Sequence, residues 1–329
     1  MKPLENFREN KIRKSKRKKV PILITCDIDP LTRDERIRYG ISLNETQQSL
    51  LEQSLQLTKD MLSELGIPAT FFVTASLCEE IEYELKELKK KGHQIGCHGL
   101  THGEDENYAK LLYNEQFYRI EQATEILESF VGKVTAFRAP AVRISATTLK
   151  ILENLGYTAD SSISSQRFDM VSSNTSPKLI FAPRRPYHPK ESDAYKKGSM
   201  KIWEIPISAL VLPFISGTLS VFGLGFMKCF FNVLYRESLR TGKPIVYLTH
   251  PTEFLASENH GIPTSWFFSP RMWRVHGNPV RYFLFRKDGR VLYEEHKELF
   301  AYMKTFEGTI FITMEKYIKN IGYYWRYSV

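Results

Sequence analysis

Seven short apolar runs, many of them β-branched, alternate with helix-like segments over the first 250 residues. No other feature of the sequence restricts the fold as much. VPILITC (20–26), ATFFV (69–73), QIGCH (94–98), VTAFR (134–138), YTADSS (157–162), KIWEIPI (201–207) and PIVYLTH (244–250) read as strands. Helical spacing fills residues 44–65, 79–92, 113–131 and 145–156. Asn44 and Ser145 stand as caps, Gly66 and Gly132 as stops, and one more helix is expected near 226–241. Parallel neighbours need a crossover between them, usually a helix, so this order predicts an α/β fold: a distorted (β/α)7 barrel. Such a barrel carries its chemistry at the carboxyl ends of its strands.

Composition removes several other classes. Hydrophobic residues make up 42% of the 329 and charged residues 25%, which is ordinary globular usage. The four cysteines, Cys26, Cys78, Cys97 and Cys229, form no CxxC pair, which argues against a zinc finger or a disulfide scaffold. The net charge of +9 is local: residues 1–20 hold nine Lys/Arg against two Glu, leaving 37 positive and 35 negative charges elsewhere. Residues 1–20 therefore read as a basic disordered arm, and the folded body gives no nucleic-acid signal. The arm precedes too short an apolar run for a secretory signal, so a cytoplasmic location is expected. Residues 207–227 are uncharged, but Pro213, Gly217, Gly223 and Gly225 interrupt them. They read as a loop and a buried helix start, with an apolar lip that could join the arm in peripheral contact with the inner membrane face. Residues 163–200 read as a long loop, and 254–329 as an extension packing on the barrel as helices.

The residues best suited to catalysis sit at strand ends. Asp27 and Asp29 follow the first strand, His98 and His102 the third and Arg138 the fourth; Asp160 lies in the fifth and His250 ends the seventh. A barrel would gather them at one mouth. Alternation puts Asp27 and Asp29 on one side of the first strand, with Ile28 in the wall, although Asp29-Pro30 also suits a turn. His98 and His102, flanked by Gly99 and Gly103, offer two imidazoles to one cation. An added carboxylate would complete a facial set suited to zinc, iron or cobalt. Taken singly, Arg138 also reads as a structural ion-pair partner and His250 as a rim histidine. Their combination in this order points to a site.

With TCDID, GHQIGCHGLTH, FRAP, YTADSS and YLTHP in that order, and GIPATFFV between the first two, the chain resembles the polysaccharide deacetylases. These are carbohydrate esterase family 4, with the NodB homology domain. The resemblance covers residues 21–253. It implies a barrel of the NodB type and one divalent metal, zinc foremost, with iron, cobalt or nickel as alternatives. Asp27 would be the general base, tuned by Arg138, and Asp29, His98 and His102 the metal ligands. His250 would be the general acid, polarised by Asp160, and Ala141 would lend its backbone N–H to the oxyanion. The family commonly has adjacent aspartates, whereas Ile28 holds the second position here, so Asp29 must serve as the ligand.

The activity implied is removal of an acetyl or related acyl group from an amino sugar of a glycan, or of a lipid- or nucleotide-linked precursor. Arg184, Arg185 and Tyr187 in FAPRRPYHP (181–189) are candidates to hold phosphate or stack on sugar, although the stretch also reads as a solvated loop. Two alternatives stand beside this reading. One is hydrolysis of another non-peptide C–N bond on the same barrel, and the other is an inactive barrel that binds glycan.

Overall fold

The computed structural model describes residues 18–166, 177–257, 263–276 and 287–326. Most of the basic arm (1–17) and part of the 163–200 stretch (167–176) lie outside the described residues.

The expected strands form as β1 (Val20–Ile28), β2 (Ala69–Val73), β3 (Gln94–Cys97), β4 (Ala136–Phe137), β5 (Ala159–Asp160), β6 (Trp203–Glu204) and β7 (Ile245–Thr249). They pair in parallel in the spatial order β7-β1-β2-β3-β4-β5-β6. The sheet curls until its two edges approach each other across residues 207 and 208. Ile207 N–H donates to the Ile163 carbonyl at 2.9 Å, and Ser208 N–H to the Val246 carbonyl at 3.1 Å. Ser208 Oγ then accepts from Val246 N–H at 2.9 Å. One serine thus closes the seam where no regular strand pairing does. The result is the distorted (β/α)7 barrel that the alternation predicts.

Side chains alternate between the two faces of each strand, which gives the barrel an inside and an outside. Leu23, Phe72, Ala136, Ala159, Ile205 and Val246 meet in one inner cluster. Ile22, Ile24, Phe71, Val73, Phe137 and Tyr247 belong to the larger cluster between sheet and helices. Those helices are α1 (Arg33–Tyr39), α2 (Gln47–Leu65), α3 (Glu82–Lys90), α4 (Tyr113–Val131), α5 (Ala146–Asn154) and α6 (Ser216–Thr241). Thr46, not Asn44, caps α2, because its hydroxyl accepts from Ser49 N–H at 3.1 Å. Gly66 ends α2 at φ 62°.

Two regions depart from expectation. Helix α6 begins at Ser216, ten residues earlier than the sequence pattern indicated, and Gly223 breaks it at φ 78°, ψ 172°. Among the described residues it is the one helix long and apolar enough to cross a membrane, yet it buries Leu219, Met227, Phe230, Phe231 and Leu234 in the outer core. Beyond α7 (Gly289–Lys304), the chain adds a strand rather than helices alone. This is β8 (Thr309–Phe311), which pairs with Val20–Ile22 at the start of β1. Met314, Tyr317 and Tyr324 then join the inner cluster, so the end of the chain forms the barrel's floor.

Candidate active site

At the mouth, alternation decides which residues can meet. On β1, Ile28 lies in the outer core while Asp27 faces inward, and Asp29, just past the strand, returns to the inner side. Asp29 Oδ1 lies 3.2 Å from His98 Nε2, and its Oδ2 lies 3.7 Å from both His102 Nε2 and His250 Nε2. The ligating atoms of Asp29, His98 and His102 all fall within 4.8 Å of one another.

These residues fit a cation, for a reason internal to the site. His98 Nδ1 sits 2.8 Å from the Arg138 carbonyl, which can only accept, so Nδ1 carries the proton. In the neutral ring Nε2 is then a lone pair aimed at a carboxylate, and Asp29 Oδ1 is buried without a hydrogen-bond partner among the described residues. Either a further proton or a metal ion must lie between them. Burial would raise the Asp29 carboxyl, but His102 and His98 hold it well below the usual carboxylate range.

Beside this group, Arg138 is fully buried, and each of its three guanidinium nitrogens donates a hydrogen bond. Nη1 donates to Asp27 Oδ1 at 2.6 Å and to Thr25 Oγ at 3.0 Å, while Nε and Nη2 bond the Ser161 carbonyl and hydroxyl at 2.8 and 2.9 Å. The guanidinium lies 4.3 Å over the Phe72 ring. Thr25, Asp27, Phe72, Arg138 and Ser161 all face inward, which is why residues from four strands can share one layer. Asp27 is thereby fixed with Oδ2 directed to His98 Nε2 at 3.8 Å.

His250 completes the mouth, but with a different partner from the one expected. Its Nδ1 faces Glu253 Oε1 at 3.3 Å across the turn Pro251–Leu255. Burial opposes protonation most strongly, yet the Glu253 bond and the charges of Glu253, Asp29 and Asp27 together outweigh it and raise His250 to about 9. Asp160 cannot take this role. Its neighbour Ala159 points into the barrel, so Asp160 points out, where it accepts from Ser162 N–H and Oγ at 3.1 and 2.7 Å and lies against Glu204. Ser162 Oγ in turn accepts from Ala139 N–H at 2.8 Å, anchoring the turn that carries Ala141 at φ 51°. The turn's own bonds start from Val142 and Arg143 N–H, and neither uses Ala141 N–H. The spacing His250-x-x-Glu253 in a Pro-led turn was the available signal for the true partner.

The structure does not bring Arg184, Arg185 and Tyr187 to the mouth. Arg184 pairs with Glu237 at 2.6 Å near the end of α6, and Arg185 bonds the Thr241 carbonyl and lies 5.5 Å over the Trp325 ring beside the floor. Tyr187 is buried, with its hydroxyl on the Ala194 carbonyl. Their charges and hydroxyl are consumed by fastening the loop to the lower half of the barrel.

Comparison with known proteins agrees with this geometry. Residues 40–159 match the polysaccharide deacetylase family. A peptidoglycan deacetylase-like protein of Gibberella zeae is 31% identical over 107 residues, 32% of this chain and 31% of that one. The match thus spans about a third of that relative's length. Among solved structures, one from Mycobacterium smegmatis named as a polysaccharide deacetylase superposes with a TM-score of 0.60 at 15% identity, covering 93% of this chain and 91% of the other. A structure named Puue allantoinase gives 0.58 at 15% identity, covering 93% and 90%. At such identity these two relate the folds. The family read from the motifs is borne out as a likeness: residues 40–159, which include β2, β3, β4, His98 and His102, are similar to the polysaccharide deacetylases.

Proposed function

We propose that this chain is a metal-dependent N-deacetylase acting on an amino sugar of a glycan or of a lipid- or nucleotide-linked precursor. The observation that carries the reading is the two-sided mouth. Asp27, braced by Arg138, and His250, braced by Glu253, flank the Asp29–His98–His102 group. An oxygen and two imidazoles suit zinc first, and iron, cobalt or nickel as well. A divalent ion held there supplies Lewis acidity to the acyl carbonyl and the attacking water. Asp27 takes the proton of that water, and Arg138 holds its carboxylate in orientation. The Ala141 N–H would stabilise charge growing on the former carbonyl oxygen. His250 carries a proton on Nε2 and delivers it to the amide nitrogen, so the amine leaves neutral. Acetate and a free amino sugar result.

The decisive experiment pairs elemental analysis with acetate release on N-acetylated sugars, some free and some lipid- or nucleotide-linked. Asp27→Asn is expected to keep its metal and lose roughly 100-fold or more in turnover. Wild-type protein without metal after reconstitution, or with metal but no release on any substrate, would favour the inactive glycan-binding barrel. Cyclic ureides belong in the panel, since a relative by fold is named an allantoinase. A cytoplasmic location with peripheral membrane contact is also part of the proposal. Exposed Val211, Phe222 and Phe226, together with the basic composition of residues 1–20, support it. Flotation with anionic vesicles at low and high salt tests it, and a protein that never floats refutes it.

A further inference from the structure

The loop bearing both imidazoles is folded around one buried carboxylate, Glu106, which is 2% exposed. Its Oε1 accepts from Leu100 N–H at 2.7 Å and from the Tyr108 hydroxyl at 2.5 Å. Its Oε2 accepts from Thr101 N–H at 2.8 Å, His102 N–H at 2.7 Å and Thr101 Oγ at 3.2 Å. Three consecutive backbone N–H groups thus converge on one side chain, a nest filled by an internal anion. Within the nest His102 is held at φ 57°, a conformation uncommon outside glycine that the surrounding bonds must maintain.

The neighbours leave the carboxylate little freedom. Tyr108 is fully buried and packs edge-on to Phe137 with centroids 5.7 Å apart. On the other side Gly99, at φ 80°, lets the chain pass close. A Cβ there would stand 2.8 Å from Glu106 Oε1 and 2.9 Å from Pro140 Cγ. Glu106 is not among the residues whose ligating atoms meet at the mouth. Any influence it has on the site must therefore pass through the loop and through His102.

We infer that Glu106 is a positioning residue for the metal centre, presenting His102 to the cation by clasping the backbone on either side of the preceding peptide. The inference rests on reading Asp29, His98 and His102 as ligands. In Glu106→Gln an amide N–H₂ would face donors where an oxygen now accepts, so His102 would lose its enforced conformation while keeping its side chain.

The test is zinc affinity alone, by competition with a chromophoric chelator, for wild type, Glu106→Gln, His102→Ala and the double variant. Glu106→Gln is expected to weaken zinc roughly 10–100-fold. In the His102→Ala background the same change is expected to have almost no effect, because the residue through which it acts is gone. Losses that multiply in the double variant, or full affinity in Glu106→Gln, would overturn the inference while leaving the ligand assignment standing. A wild type that binds no zinc would overturn both. Should Glu106→Gln fail to fold by circular dichroism, Tyr108→Phe carries the cycle. It removes one of the five bonds and is expected to cost a few-fold in affinity, again only while His102 is present.

Discussion

At the level of single residues, the site separates two buried acids that the sequence could not tell apart. Asp160 lies inside the YTADSS motif and Glu253 two residues past YLTHP, and the direction of the side chain assigns Glu253 to His250. Glu253→Gln is expected to lower turnover about tenfold or more by weakening the charge that keeps Nδ1 oriented. Asp160→Asn is expected to stay within a few-fold of wild type, with its main effect on stability. Initial rates on one substrate, beside denaturant midpoints, distinguish them. His93 gives a pH effect remote from the mouth. Burial, helped by Lys91, lowers it to about 4, and its neutral Nδ1 accepts from Ala69 N–H at 3.0 Å. Because the folded value lies below the unfolded value of about 6.5, this contribution is complete above that pH and is lost as pH falls towards 4. Unfolding free energies from urea titrations at pH 7 and 5 are expected to fall more in wild type than in His93→Gln, by roughly 1–2 kcal/mol.

At the level of elements, the helices were legible because each carries its own start and stop. The expected bounds of α4 agree with Tyr113–Val131, and Ser145 caps α5 through Thr148 N–H. The strands were legible as buried runs, and their alternation also placed Asp27 and Asp29 on one side of Ile28. What sequence could not supply was any feature that depends on a distant partner. TIF at 309–311 is too short to show a period, and it is a strand only because β1 leaves an edge there. Arg184 and Arg185 looked like ligand-binding residues because their partners, Glu237 and Trp325, lie far along the chain. The sequence pattern starts α6 near 226, later than Ser216, because Gly223 and Gly225 read as breakers. Gly223 does break it, but within a helix that continues on both sides. Its φ of 78° predicts that Gly223→Ala destabilises by about 1 kcal/mol or more, measurable as a lowered melting temperature.

At the level of the whole molecule, the residues after 253 do not form an appendage. Met314, Tyr317 and Tyr324 seal the inner cluster from below, while Arg138 and Thr25 lie above it, with the guanidinium over the Phe72 ring. A chain ending at residue 308 would open Leu23 and Val246 to water, and it is expected to be insoluble or to bind a hydrophobic dye strongly. Solubility and dye fluorescence of that truncation test the point, and a soluble, metal-binding product would refute it. The pairing of β8 with β1 also has a temporal consequence. Val20 and Thr309 are in register although about 290 positions separate them, so this pairing closes a very long loop. During synthesis the edge of β1 at Val20–Ile22 must wait unsatisfied until residues 309–311 emerge. Maturation of this protein should therefore be slow and late, and for that interval the nascent barrel is a client for whatever protects open strands in the cell.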